Sequence, residues 1–233
     1  MTNLQRPALA LSLLGTSLLL GACNISVKPP TPTNTQPTVI SGVVTPWTQG
    51  QTGTIRPPLI PELSTTVDTT GNFNLPLPNV ATMTSTYSGD LTDASVLKNS
   101  CTNGTVTATE GLKFAVIADL EVVGKNPTYY TYSSYENGKL SYKAWWFANK
   151  AGTITADADC AVSVVVGRLK ANLTLKAGWN IVNYVQDASS SNFVYTLTTG
   201  TQTNAKMTWR PNPISSQSLQ AHDRLANPWG LLR

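Results

Sequence analysis

From residue 39 onward, apolar and polar positions alternate in short runs, and Gly, Pro, Asn or Asp interrupts them every few residues. That pattern predicts strands over 39–44, 53–56, 65–68, 72–77, 104–109, 113–123, 128–135, 139–147, 152–156, 161–170, 180–186, 192–198 and 205–210. No stretch of this body keeps a helical period of about 3.6 residues through three turns. Threonine and the aromatic residues suit a pleated, half-buried surface. The expected fold is all-β: an antiparallel β-sandwich over 39–210, either one large or two small, with a sub-boundary near 80–100. A tail follows over 211–233, in which Trp229, Leu231 and Leu232 offer a candidate contact segment, an untethered end being the alternative; it also holds the chain's one histidine, His222.

The clearest hairpin spans 128–147, TYYTYSSYENGKLSYKAWWF. Asn137-Gly138 is the preferred pair for a type I′ turn, which needs positive φ at both central residues. Such a turn pairs Glu136 with Lys139 and Tyr135 with Leu140. Carried on, it pairs Tyr132 with Lys143, Tyr130 with Trp145 and Tyr129 with Trp146. The face with Tyr129, Thr131, Tyr135, Leu140, Tyr142, Ala144 and Trp146 is the expected core. The other face is charged near the turn and aromatic beyond it. Its stripe of Tyr130, Tyr132 and Trp145 has two readings. Cross-strand packing is the expected one. The alternative is an exposed platform that stacks on sugar rings, with Lys143 and Glu136 hydrogen-bonding the hydroxyls.

Before residue 39 the pattern changes. Arg6 precedes an apolar run from Ala8 to Leu20, which is shorter than the roughly 20 residues of a membrane-spanning helix. Residues 1–22 therefore read as a cleaved export signal. The run ends in Leu20-Gly21-Ala22-Cys23. This resembles the lipobox of bacterial lipoproteins. The resemblance implies diacylation of the Cys23 thiol, with palmitate-type chains, and cleavage just before it. The alternative is an ordinary cleaved signal with a free or paired Cys23. Two or more acyl chains anchor a protein stably without a transmembrane helix. Asn24 stands where an Asp would favour inner-membrane retention, so the resemblance points to the outer membrane of a cell that has two. Residues 23–38 then form a tether, rich in Pro and Thr, which favours extended polyproline II.

With Cys23 assigned to the anchor, Cys101 and Cys160 remain, and export places them where disulfides persist. Their pairing is the expectation, with two buried thiols as the alternative. Charged residues make up only 12% of the chain, and the basic ones are spread without a cluster. A formal charge of +4 is thus no nucleic-acid footprint, which needs charges gathered on one face. Asp157 and Asp159 could offer calcium two of the six to eight oxygens it takes, and a solvated turn is the expected reading. No metal site, cofactor or catalytic constellation is expected. His222 and Asp223 are adjacent and point apart on a helix.

One further resemblance lies in ISGVVTPW followed by TTVDTTGNFNLPLP. Asp68, Gly71, Phe73, Leu75, Leu77 and Pro78 fit the Asp-x-x-Gly-x-Phe-x-Leu-x-Leu-Pro pattern of carboxypeptidase-regulatory-like and transthyretin-like sandwiches. It implies a sandwich that serves as a structural or binding module. The functional expectation is a lipid-anchored cell-envelope protein with a structural or protein-interaction role. Its partners are the membrane, through Cys23, and another envelope protein. The alternative is a module for cell-wall glycan using Tyr130, Tyr132, Lys143 and Trp145.

Overall fold

A computed structural model describes residues 35–125, 128–131, 134–162, 165–189 and 193–211. The expected signal, Cys23, most of the expected tether, Tyr132 and the tail beyond 211 lie outside the described residues. The first strands are β1 (Val39–Val44), β2 (Gly53–Arg56), β3 (Thr65–Val67) and β4 (Asn72–Pro76). Next come α1 (Val80–Ser85), β5 (Thr92–Asp93), α2 (Ser95–Asn99), β6 (Cys101–Ala108), β7 (Lys113–Ile117) and β8 (Glu121–Val122). The remainder are β9 (Tyr129–Tyr130), β10 (Ser134–Glu136), β11 (Lys139–Ala148), β12 (Gly152–Val162), β13 (Val165–Leu175), β14 (Gly178–Asp187), β15 (Phe193–Thr199) and β16 (Met207–Pro211). The fold is all-β and sandwich-like, as the alternation predicts. The two α-helices among the described residues are short, six and five residues, so neither could carry a long apolar period.

The largest sheet runs β5-β7-β11-β14-β15-β13-β12-β6, with β10 paired to β11 beside this path. Two smaller sheets run β4-β1-β16-β9 and β3-β2-β8. The expectation of purely antiparallel pairing is corrected: β1 and β16 run parallel, and so do β13 and β15. The large sheet curls on itself into a half-barrel. Its inner face gathers Phe114, Tyr142, Trp146, Ile154, Leu173, Tyr184 and Leu197 into one core. Its outer face, on β7, β11 and β14, meets a second core built with β1, β2, β4 and β16.

β11 joins the two cores. Successive residues of a strand point to opposite faces. Trp146 therefore enters the half-barrel and stacks on Phe114, with ring centroids 4.8 Å apart. Trp145 enters the second core and stacks on Trp209, at 5.5 Å. The apolar run Ala144–Ala148 marks a strand buried on both faces. Trp209 also lies flat over Gly42 on the parallel neighbour β1, where any Cβ would collide with the indole and with Met207 O. The Ser41-Gly42 pair of the sandwich-like motif thus has a packing cause.

The hairpin forms, but shorter than its turn implies. Asn137 and Gly138 have φ of 50° and 78°, and Glu136–Lys139, Tyr135–Leu140 and Ser134–Ser141 pair as expected. Tyr130 and Tyr129 do not pair with Trp145 and Trp146. They leave the sheet and pair with Arg210 and Pro211 of β16. β11 pairs there with β7 and β14 instead. The expected single strand over 113–123 breaks into β7 and β8, which belong to different sheets. Thr131 bridges the departure: its hydroxyl donates to Lys143 O at 3.0 Å and accepts from Lys143 N–H at 3.1 Å. Tyr135, assigned to the core face, is 45% exposed, because that face is covered only where the barrel wraps over it.

The motif around Asp68 makes the expected turn. The carboxylate accepts from Thr70 N–H at 2.8 Å and Asn72 N–H at 2.9 Å. Phe73 and Leu75 then point into the second core. Cys101 and Cys160 are bonded, directly opposed on β6 and β12, 59 residues apart in sequence.

Two stability outcomes follow. Trp145→Ala is expected to cost about 3–5 kcal/mol, read as a lowered urea midpoint, since nothing nearby can collapse into both its stack and its pocket. Reducing the disulfide is expected to cost up to about 4 kcal/mol, from the loop it closes in the unfolded chain. A midpoint unmoved by reductant would show that the unfolded chain gains no freedom from losing the bond.

Candidate functional site

The half-barrel does not close. Its terminal strands β5 and β6 are not hydrogen-bonded to each other, although α2 connects them directly in sequence. Nor do β6 and β7 pair, though only residues 109–112 separate them. A cleft of about 540 Å³ lies along this seam. Asp93, Ala94, Ser95 and Lys98 line it from β5 and α2, and Val106, Thr107 and Ala108 from β6. Thr109, Glu110 and Gly111 line it from the following turn.

Each wall is fixed locally. Asp93 accepts from Ser95 N–H at 2.9 Å, which starts the α2 turn, and Ala94 N–H donates to Leu112 O at 2.8 Å. Ala94 and Leu97 are buried in the half-barrel core, so α2 serves as a plug across the gap. Ser95 and Lys98 are left on its outward side. Backbone and hydroxyl bonds from Ser95, helped by Lys113, hold the Asp93 carboxyl below the usual aspartate range.

β6 is the free edge. Thr109 N–H donates to Thr153 O at 3.0 Å. Antiparallel pairs alternate, so Thr105 and Thr107 also turn their main-chain groups toward β12. The N–H and C=O groups of Val106 and Ala108 then point the other way, into the cleft. The strand is held firmly behind them. The disulfide pins its start. Arg168 donates to Asn103 O at 2.9 Å. The Thr107 and Thr155 hydroxyls meet at 2.6 Å. Asn103, with φ of 49°, sits where the β6–β12 register shifts, and this bulge ends the regular edge below Thr105.

The sequence-predicted site residues fall elsewhere. Tyr130 is 2% exposed and Trp145 1%, so neither offers a ring face to a ligand. Tyr130 packs edge-on against Tyr142 inside the half-barrel, while Trp145 lies in the other core. The proposed sugar platform is thus corrected: these two residues do not share a surface, because their strands separate. Lys143 is half-buried beside Thr131. Tyr132 lies outside the described residues.

Asp157 and Asp159 are also corrected. They sit within β12 rather than in a turn, on one face, and both bind Arg168 of β13. Its Nε reaches Asp157 Oδ1 at 2.7 Å and its Nη1 reaches Asp159 Oδ1 at 3.2 Å. Arg168 is directly opposite Asp159 and diagonal to Asp157, so the pleat itself sets this cross-strand triad. The acids are neutralised by a cation, not arranged around one. Among the described residues, no group of three or more His, Cys, Asp or Glu side chains could hold a metal.

A second, smaller recess of about 310 Å³ lies beside Arg56, Glu121 and Lys125. Its charges are already engaged: Arg56 with Glu121 at 2.6 Å, and Lys125 over the Trp47 ring at 4.2 Å. The β6 cleft differs. Among the described residues neither Lys98 nor Glu110 has an ion-pair partner there. Sequence reading missed this cleft because it reports which residues form a strand, not which side of the strand stays unpaired. The signals at hand were the short apolar run ASVL before Cys101 and the polar edge sequence TNGTVTATE.

Compared with known proteins, the chain matches no family model, no curated sequence and no solved structure.

Two carboxylates supply a pH prediction. Asp68 and Asp187 are held down to about 2, chiefly by the hydroxyls of Thr70 and Ser189 and by neighbouring N–H groups. Their ordinary value is about 3.9. The stability they add is therefore complete above about pH 4 and lost as the pH falls through about 2. Carboxyl NMR titration of both residues, alongside urea midpoints from pH 6 to 2, should show these low midpoints. Ordinary values near 4 would mean that the turns do not hold their carboxylates.

Proposed function

We propose that this chain is an exported, lipid-anchored cell-envelope protein whose β-rich body is a protein-docking module. The anchor rests on Leu20-Gly21-Ala22-Cys23 at the end of a short apolar run. In a cell with two membranes, position 24 holds Asn and not the Asp that favours inner-membrane retention, which supports the outer membrane. The Pro-rich segment up to residue 38 is a spacer that holds the body off the bilayer. The observation that carries the docking role is the seam of the half-barrel. There a rigidly held strand edge turns unused main-chain donors and acceptors into a cleft. Exposed edges of this kind are normally blunted or covered, and a covered one is an interface.

Glycan binding through the aromatic stripe receives no support from the burial of Tyr130 and Trp145. The preferred reading is therefore an interaction protein and not a sugar module.

Labelled palmitate and fractionation test the anchor, and gentle solubilisation with mass spectrometry tests the partner. The wild-type chain is expected to take up label, sediment with membranes and carry one stoichiometric protein. Cys23→Ala is expected to lose the label and the sedimentation. Label retained on Cys23→Ala would overturn the anchor. Recovery of cell-wall glycan in place of a protein would overturn the docking role.

A further inference from the structure

The cleft has the dimensions of an added strand. Neighbouring strands lie about 4.8 Å apart, each residue advances about 3.3 Å, and packed layers are about 10 Å apart, so one strand residue fills about 160 Å³. A volume of about 540 Å³ thus holds about three such residues. Val106 and Ala108 present two donors and two acceptors over that length, at the spacing an incoming strand would use. The edge is recessed behind α2 and the Thr109–Gly111 turn. A single extended segment matches that span.

We infer that the occupant is an extended peptide segment of another protein, added as a strand to β6. This rests on the docking role proposed above and names its chemistry. The floor sets the side chains. Ala94 and Ser95 are small and leave room for the side chain that faces them. Lys98 calls for a carboxylate and Glu110 for a cation, since both lack an ion pair among the described residues. Proline is excluded wherever the segment must donate to Val106 or Ala108. The backbone bonds supply affinity, and the charge pair supplies selection.

The geometry also supplies a clean variant. Ala108 directs its N–H into the cleft, so Ala108→Pro removes a docking donor without removing a bond to β12. Thr107→Pro would break that ladder instead. The probe is a library of capped heptapeptides without proline, screened against the full chain.

Selected peptides are expected to combine one acid with one base. Bound, they should protect the Val106 and Ala108 amides from hydrogen exchange. Ala108→Pro should weaken them by about tenfold or more. Lys98→Glu, a surface change that leaves folding intact, should reverse the preference for the acid. Absence of selected binders, or binding that leaves the two amides exchanging freely, would overturn the inference. So would binding that is indifferent to both variants. Amides already protected without peptide, and released on deleting residues 212–233, would replace the foreign segment with the chain's own tail and overturn it too. A co-purifying partner held equally by Ala108→Pro would sink strand addition while leaving the docking role standing. Loss of every partner from the wild type would sink both.

Discussion

The structure depends on one strand being buried from both sides. In β11, Trp145 and Trp146 are consecutive and so must point apart, and each is the centre of a different core. Trp146 stacks on Phe114 and donates from Nε1 to the Tyr184 hydroxyl at 2.9 Å. Trp145 stacks on Trp209, which in turn covers Gly42. The half-barrel and the smaller sheet are therefore not independent layers. A disturbance of the β11 backbone reaches both, through residues that are neighbours in sequence.

That double burial also explains where the fold is left unfinished. The strands nearest β11 receive cover from the second core, while those farther round the curl face solvent with Thr, Asn and charged residues. Curling brings the two ends of the sheet near each other, yet the chain spends the gap on α2 instead of a closing strand. A helix across a seam buries side chains such as Ala94 and Leu97, but it cannot satisfy a strand's edge. Its main-chain groups point along its own axis, not across to the strand. The open groups of Val106 and Ala108 are the residue of that compromise. The disulfide and Arg168 keep them in register, so a docking segment of the kind proposed would meet a pre-ordered template at lower entropic cost.

Much of this was legible beforehand where local chemistry decides the outcome. Asn137-Gly138 forces its turn through positive φ, and Asp68 forces its own through hydrogen bonds to Thr70 and Asn72. The hairpin register failed only beyond Ser134. The turn controls pairs close to it, whereas Tyr129 and Tyr130 obey the pull of another sheet. Placing Tyr130 and Trp145 on one face requires a pairing that does not exist. A solvated turn is the expected reading for Asp157 and Asp159, and acids are weak strand formers. A partner on the neighbouring strand, Arg168, overrides that preference.

By itself the sequence determined the alternation that makes an all-β body, the turns at Asn137-Gly138 and Asp68-Gly71, and two cysteines free to pair. These rest on periodicity, backbone sterics and residue type, which act over a few positions. Only the tertiary structure decided the parallel pairs, the sharing of tryptophans between two cores, and the unpaired side of β6. Each of these depends on which distant segment reaches a strand first. A strand's sequence specifies its two faces, but its two edges carry the same backbone whatever the side chains, so no local pattern says which edge is left open.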